Sequence, residues 1–130
     1  MERNVGEKAI QCLRHLEACD FDGVRKMCTD TATVWHNDGK GEQSIDEKLA
    51  QLEPLASSVG SLRYEIVRQF RGPCEVLQQQ ILHLSLLNGS HHEAHATMYM
   101  RFEGYLIDRI EEYVYTIPVG DAFPVEGGRK

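Results

Sequence analysis

A histidine and an aspartate two residues apart, His36 and Asp38, are the strongest candidates for chemistry in this sequence. They lie in the stretch TATVWHNDGKG, residues 31–41, where a short strand over 31–36 is predicted to run into a polar turn. Strand alternation places His36 on the same face as apolar neighbours, so we expect it to point into a pocket. A histidine there could act as an acid or a base near neutral pH.

Each residue of this stretch also has a structural interpretation. His36 could simply be hydrogen bonded to a neighbour at the end of the strand. Asp38 could orient the His36 ring, or it could be a turn residue, because Asn-Asp-Gly is ordinary turn chemistry. The single tryptophan, Trp35, could stack on a flat ligand, but packing in the core or at a dimer interface is favoured.

Further candidates come from the second half of the chain. Tyr64 is predicted on the apolar face of its strand, where its hydroxyl could donate a hydrogen bond into the pocket or lie at the rim. His83 is a second possible acid–base group. A glutamine of the run 78–80 that faced the pocket would offer an amide, but an outer, exposed face is favoured for this run. Met98 is predicted in the core, which can coincide with the pocket wall.

Three potential metal ligands, His91, Glu93 and His95, share one face of a predicted strand. Two histidines and a carboxylate can bind zinc or iron. This is the polar face of that strand, however, and a solvated or dimer-facing stripe is the favoured interpretation. We therefore predict no metal site.

The composition is that of one globular domain. The chain has 130 residues, 42% hydrophobic and 26% charged, and a formal net charge of -6. A negative charge with scattered basic residues argues against nucleic acid as a partner. No apolar run reaches the roughly 18–20 residues of a membrane span, and no signal peptide is recognisable, so a cytoplasmic location is expected. The four cysteines lack a Cys-x-x-Cys pair and are expected to be reduced and buried.

The first half of the sequence has helical periodicity. Residues 4–19 carry an apolar stripe at three- and four-residue spacing, with Asn4 as N-cap. A short second helix is predicted over 21–28 with Asp20 as its cap. A third helix is predicted to start at a capping box that begins with Ser44.

The second half changes to the two-residue period of β-strands. The predicted strands are 62–71, 74–87, 91–102 and 105–117. The first of them is predicted to place on one face Leu62, Tyr64, Ile66, Arg68 and Phe70. Helices that precede an antiparallel meander indicate an α+β fold, in which a curved sheet around the helices encloses a cone-shaped cavity. Residues 1–117 are predicted to form a single domain, and 118–130 a loose tail.

Three segments together resemble the nuclear-transport-factor-like superfamily, and within it the SnoaL-like and ketosteroid-isomerase-like group. They are CDFDGVRKMCTDTATVWHNDG, the capped helix SIDEKLAQL, and MRFEGYLIDRIEEYV. The resemblance covers nearly all of residues 4–117. It implies a cone-shaped α+β barrel, made of a curved and mostly antiparallel sheet wrapped around three helices, often dimeric, with an apolar pocket.

Matched to this group, the sequence departs from its enzymes at several positions. The carboxylate base of ketosteroid isomerases corresponds to His36, and their two oxyanion-hole donors correspond to Cys12 and Met98, so both donors are missing. The Arg-x-Asp pair of limonene-epoxide-hydrolase-like enzymes would fall in 74–87, which contains neither residue type. Glu112 lies near the last-strand carboxylate of those enzymes.

The resemblance implies a small enzyme that transfers protons on a compact apolar carbonyl compound, such as a polyketide, terpenoid or steroid-like molecule. An isomerase- or polyketide-cyclase-like reaction without a cofactor is expected, with His36 as acid or base. A dehydratase of the superfamily works with histidines, so a His36/His83 pair is conceivable. The residues expected to bind the substrate are Trp35, Tyr64, His83, Met98 and Glu112. The alternative is a non-catalytic ligand-binding or dimerisation module; a homodimer is expected in either case, without nucleic acid or membrane partners.

Overall fold

The computed structural model of the protein describes residues 4–116, which form three α-helices and one six-stranded sheet. The helices are α1 (Val5–Glu17), α2 (Phe21–Lys26) and α3 (Ile45–Leu52), and a short 3-10 helix, Glu53–Ser57, follows α3. The strands are β1 (Cys28–His36), β2 (Glu42–Ser44), β3 (Val59–Arg71), β4 (Glu75–Leu86), β5 (His91–Glu103) and β6 (Leu106–Thr116).

The helices begin at the predicted caps. The side chain of Asn4 accepts a hydrogen bond from the third residue of α1, Asp20 does the same for α2, and Ser44 forms a complete capping box at α3. Helix α1 ends at Glu17, two residues before the predicted end, because Cys19 has a left-handed φ of 55°.

The strands are ordered β2-β1-β6-β5-β4-β3, and the sheet is curved and unclosed. The predicted antiparallel meander from β3 to β6 is confirmed, as is the α+β class with helices against one face of the sheet. The pairing of β1 with β6 is parallel, so the first strand adds to the meander next to the last. Strand β2 was not predicted, because three polar residues carry no alternation.

The core fills the space between the helices and the inner face of the sheet. Its buried apolar side chains come from α1, α2, α3 and β1 and from the inner faces of β4, β5 and β6. Leu13 of α1 and Ile107 of β6 are completely buried. Burial of one such aliphatic side chain contributes about 1.5–3 kcal/mol, so this core holds the helices on the sheet.

Strand β3 changes face halfway along its length. Its pairing with β4 shifts register between Ile66 and Arg68, which leaves Val67 without an opposite residue. Beyond the shift Gln69 is half-buried, whereas Phe70 is 63% exposed. The prediction that Arg68 and Phe70 continue the inner face is therefore wrong, because one extra residue in a strand reverses all later side chains.

Two sequence-based expectations concern the ends of the chain. The last strand, predicted to 117, extends as far as the described residues go, and the predicted tail over 118–130 lies outside them.

Among the helices of residues 4–116, none has the length and apolar character needed to cross a membrane.

Candidate functional site

An apolar cavity of about 210 Å³ lies between the helices and the inner face of the sheet. Its wall is mostly aliphatic, and the ionisable side chains in it are Cys12, His36, Lys48, Tyr64 and Glu112. Ligand sites in proteins are commonly apolar cavities with a few polar groups that orient the bound molecule. An apolar cavity of about 150 Å³ can hold benzene, so this one has room for a compact ring compound.

His36 reaches the cavity through the alternation of β1. Ala32 and Val34 are buried on the same face of the strand, and His36 follows them in the cavity wall. The parallel register pairs His36 with Glu112 of β6, and their side chains lie on the same side of the sheet. His36 Nε2 is 2.6 Å from Glu112 Oε1, and only 18% and 11% of the two side chains is exposed.

The other ring nitrogen of His36 has no partner. Among residues 4–116, Nδ1 of His36 is the only buried side-chain nitrogen or oxygen without a hydrogen bond. A buried polar atom left in this state costs about 1–3 kcal/mol. With Nε2 donating its proton to a carboxylate, Nδ1 carries a lone pair that can accept a proton from a bound molecule.

The second oxygen of Glu112 contacts a glutamine. Gln80 Nε2 lies 3.3 Å from Glu112 Oε2, and both Gln78 and Gln80 are 1% exposed. The predicted exposed face is therefore wrong for these two glutamines, while Gln79 between them is exposed. Two amides can be buried here because each finds a hydrogen-bond partner in the other or in a neighbouring side chain.

Asp38 lies in the exposed turn that follows β1. Its carboxylate accepts a hydrogen bond of 3.0 Å from the backbone N–H of Lys40, and this bond is the main reason that the pKa of Asp38 is lowered. Of the two interpretations of Asp38, the one in which it orients the His36 ring does not fit the structure, because Glu112 makes that contact. The turn chemistry of Asn-Asp-Gly explains Asp38 without a catalytic role.

Trp35 and His83 lie on the outer face of the sheet. The Trp35 ring packs on Tyr113, with ring centroids 5.0 Å apart. His83 lies between two carboxylates, 3.0 Å from that of Glu65 and 3.5 Å from that of Glu93. Neither residue is in the cavity wall, so their predicted substrate contacts and the conceivable His36/His83 pair do not fit the structure. Alternation is the reason, since Leu82 and Leu84 turn the other face of β4 to the cavity.

Tyr64 and Met98 lie in the cavity wall together with Glu112. Burial, and after it the charge of Glu112, raises the pKa of Tyr64 well above its usual range. Burial also raises the pKa of the Cys12 thiol to about 12. Both groups are therefore protonated at neutral pH, and the hydroxyl is the better hydrogen-bond donor of the two.

Lys48 is a cavity residue that the sequence interpretation missed. It lies on α3 with Ile45, Leu49 and Leu52, all of which line the cavity. The sequence carried a signal for this position. Lys48 follows Ile45 by three residues, and residues three apart lie on the same face of a helix. It takes no part in the ion pairs found among residues 4–116.

The candidate metal ligands of β5 lie on its exposed side. Glu93 contacts His95 at 3.2 Å, and His91 contacts the hydroxyl of Ser85 at 2.8 Å. Within the part of the chain that the structure describes, no group of three His, Cys, Asp or Glu side chains is arranged to hold a metal ion.

At the level of sequence, neither a family profile nor a curated protein matches this chain. At the level of structure, the chain is similar to an NTF2-like protein of unknown function from Burkholderia pseudomallei, with 15% identity over 85% of this chain and 89% of that chain and a TM-score of 0.71. A protein proposed to be a SnoaL-like polyketide cyclase, from Shewanella denitrificans, is similar at 11% identity over 85% and 90% of the two chains, with a TM-score of 0.75.

An epoxide hydrolase of the LEH-like type from M. tuberculosis is also similar, at 18% identity over 83% of this chain and 80% of that chain, with a TM-score of 0.69. At sequence identities this low, the structural similarity shows a shared fold. The resemblance to the NTF2-like and SnoaL-like superfamily is thus confirmed for the fold. Because one fold carries many activities, the function has to be argued from the cavity.

Proposed function

We propose that this chain, a protein with the NTF2-like fold, is a cofactor-independent enzyme that transfers a proton on a compact apolar carbonyl compound. The observation that supports the proposal is the pair of His36 and Glu112 in the wall of an apolar cavity, with Nδ1 of His36 buried and unpartnered. A histidine held by a carboxylate, with its second nitrogen available, is the usual arrangement of a general base.

The proposed reaction starts when Nδ1 of His36 takes a proton from the carbon next to the substrate carbonyl. The electron pair of that C–H bond moves toward the carbonyl oxygen and gives an enolate. Glu112 stabilises the positive imidazolium ring through the contact at 2.6 Å. The ring then returns the proton to a different atom of the same molecule, so that the net change is an isomerisation or an intramolecular ring closure.

The developing charge on the substrate oxygen needs a hydrogen-bond donor. The positions that correspond to the usual donors of ketosteroid isomerases hold Cys12 and Met98, and both line the cavity. Tyr64 is the remaining hydroxyl in the wall, and the raised pKa of its phenol keeps the proton in place at neutral pH. We assign Tyr64 the role of oxyanion donor.

The size and character of the cavity limit the substrate. About 210 Å³ of mostly aliphatic space suits one or two fused rings rather than a four-ring steroid. A small cyclic polyketide or terpenoid ketone meets these limits. One structural relative has been proposed to be a SnoaL-like polyketide cyclase, which is compatible with this class.

A non-catalytic ligand-binding module is the competing function. The specific observation in its favour is that Cys12 and Met98 occupy the two usual donor positions. In such a module Nδ1 of His36 would accept a hydrogen bond from the ligand, and no proton would move to carbon.

The experiment that separates the two functions starts from a thermal-shift screen with cyclic ketones, polyketide-like phenols, terpenoid epoxides and acyl thioesters. A ligand at one hundred times its Kd adds roughly 2.7 kcal/mol of stability, which raises the Tm of a domain of this size by several degrees. Each stabilising carbonyl compound is then incubated in D₂O, and deuterium uptake at the carbon next to the carbonyl is followed by NMR. Uptake that disappears in His36→Asn, while the thermal shift remains, supports the enzyme. Binding without uptake in the wild type supports the module.

We also propose that the chain forms a homodimer through the outer face of the sheet. Tyr113 is 56% exposed and Val67 is 47% exposed on this face, where they border a shallow groove. Apolar and aromatic side chains exposed together are typical of an interaction surface. Sedimentation of the wild type should give twice the 14.8 kDa of one chain, and a monomer mass at micromolar concentration would contradict the dimer.

A further inference from the structure

We propose that a chain of three inward-facing glutamines, anchored on a backbone carbonyl of α1, fixes which atom carries the proton in the pair of His36 and Glu112. Gln80 is the positioning residue that contacts Glu112, and Gln69 is the anchor. The inference rests on the proposed role of His36 as a base, and it extends that role to residues outside the cavity wall.

The glutamine chain is continuous over four contacts. Gln69 Nε2 donates to the carbonyl oxygen of Gly6 at 3.0 Å and to Gln78 Oε1 at 2.8 Å. Gln78 Nε2 donates to Gln80 Oε1 at 2.7 Å, and Gln80 Nε2 donates to Glu112 Oε2 at 3.3 Å. Because Gln78 and Gln80 are 1% exposed, solvent does not compete for the bond between these two amides or for the bond to Glu112.

The direction of this chain is set at its far end. A backbone carbonyl can only accept, so Gln69 must turn its NH₂ group toward Gly6. The second N–H of the same NH₂ group donates to the oxygen of Gln78. Each following amide must then accept at its oxygen and donate from its NH₂ group to the next residue. If all three amides were flipped, the side-chain oxygen of Gln69 would face the Gly6 carbonyl oxygen, and the side-chain oxygen of Gln80 would face the carboxylate of Glu112. The end of the chain therefore presents a donor, and not an acceptor, to Glu112.

This direction determines the proton position in the ring of His36. Gln80 donates to Oε2 of Glu112, and the ionised carboxylate then accepts at Oε1 from His36 Nε2, 2.6 Å away. The proton of the neutral ring is then on Nε2, and the lone pair is on the unpartnered Nδ1. In the other tautomer the lone pair would lie on Nε2 and would face Glu112.

Two features of the sequence build the anchor. The register shift after Ile66 turns Gln69 inward, where it lies opposite Gln78. Glycine at position 6 permits the close approach of α1, since a Cβ on Gly6 would lie 2.4 Å from Gln69 Oε1 and 2.3 Å from Arg71 Cδ. Both atoms are near the ends of flexible side chains, so a larger residue at position 6 would displace the amide rather than the backbone.

The test uses the ring N–H of His36 as its readout and needs no substrate. Protein labelled with ¹⁵N-histidine is observed by NMR at alkaline pH, and the His36 signals are assigned by their loss in His36→Asn. In the wild type we expect a protonated Nε2, an unprotonated Nδ1, and slow exchange of the ring proton with water. In Gln80→Leu we expect exchange about tenfold faster, the effect of one lost buried hydrogen bond, together with signals of the second tautomer.

Gln79→Leu is the matched control, because Gln79 is on the same strand but on the exposed face. It should leave the His36 signals unchanged. Gly6→Ala is a second variant that acts from the far end of the chain and favours the helix locally. It should change the His36 signals in the same direction as Gln80→Leu. Unchanged signals in Gln80→Leu would overturn the role of Gln80, and unchanged signals in Gly6→Ala would overturn the anchor.

The outcome is independent of the outcome for the proposed function. If deuterium uptake is found but the His36 signals are unchanged in Gln80→Leu, the proposed enzyme is supported and the role of the glutamine chain is contradicted. If the His36 signals change in Gln80→Leu but no bound compound takes up deuterium, the role of the glutamine chain is supported and the proposed enzyme is contradicted. Where uptake is found, Gln80→Leu should lower kcat more than it raises KM, because the substrate does not contact the amide.

Discussion

Glu112 lies opposite His36 in the one parallel pairing of the described sheet, and their side chains meet at 2.6 Å although 76 residues separate them. The pairing of β1 with β6 therefore does more than extend the sheet, since it brings a carboxylate to Nε2 of His36 and leaves Nδ1 without a partner. Neighbours on the same faces, Val34 and Ile110, are buried and keep both side chains in place. The pair is thus fixed by strand register, which is more rigid than a loop.

Replacement of Glu112 by glutamine tests whether the carboxylate supports the base. Glu112→Gln keeps the volume of the side chain but removes the charge that stabilises the imidazolium, so we expect proton transfer to slow by about 10²–10⁴-fold. The measurement is deuterium uptake by a bound carbonyl compound. Glu111→Gln is the matched control, because Glu111 points to the other face and contacts Arg109. Equal rates in the wild type and Glu112→Gln would exclude Glu112 from the chemistry.

Filling the cavity separates binding from folding. Ala94 lines the cavity, so the longer side chain of Ala94→Leu should extend into it, at a cost of about 1–3 kcal/mol in the free energy of unfolding. The same variant should lose the thermal shift given by cavity ligands. Ala50→Leu on the exposed side of α3 provides the control. If Ala94→Leu retains the shift, the ligand binds elsewhere.

The fold could be predicted from the sequence because its signals are local. Caps at Asn4, Asp20 and Ser44 and the alternation of β5 each depend on a few neighbouring residues. The site was harder, because the partner of His36 depends on strand pairing. Asp38 was the near neighbour in the chain, whereas the contact is made by Glu112.

The burial of Gln78 and Gln80 could not be predicted from the polarity and alternation of the sequence. A run of three glutamines is polar, and polarity favours an exposed face. Gln78 and Gln80 are buried because Gln69 and Glu112 satisfy their amides, and Gln69 faces them only because of the register shift next to Val67. A shift of one residue within a strand leaves no regular trace in the hydrophobic pattern, so alternation alone cannot find it.

The cysteines should differ sharply in reactivity. Burial raises the pKa of Cys12 to about 12 and that of Cys28 to about 11, whereas Cys74 is exposed. Since the thiolate is the reactive form, we expect a thiol reagent at pH 8 to label Cys74 rapidly and the two buried thiols slowly. Mass spectrometry of peptides after a short labelling time gives the order. Rapid labelling of Cys12 in the folded protein would mean that the cavity opens readily.

The same pKa values predict how stability depends on alkaline pH. The pKa of Cys12 is raised on folding from its ordinary value of 9.0 to about 12, so the folded state holds this proton more tightly than the unfolded state. Its contribution to stability is complete below about pH 8.5 and is lost as the pH rises toward 12. Urea midpoints at pH 8 and pH 10.5 should therefore differ less in Cys12→Ala than in the wild type. An equal difference in both proteins would contradict the raised pKa.

Lys48 should select for ligands with an acidic group. It lies in the cavity wall on α3, and it takes no part in the ion pairs found among residues 4–116. An ion pair between this partly exposed ammonium and a carboxylate or phenolate on the ligand is worth up to about 1 kcal/mol, or roughly fivefold in Kd. We expect Lys48→Met to weaken an acidic ligand by this factor and to leave its uncharged ester unaffected, as measured by calorimetry. Lys40→Met in the exposed turn is the control, and an equal loss for acid and ester in Lys48→Met would show that the side chain acts through packing alone.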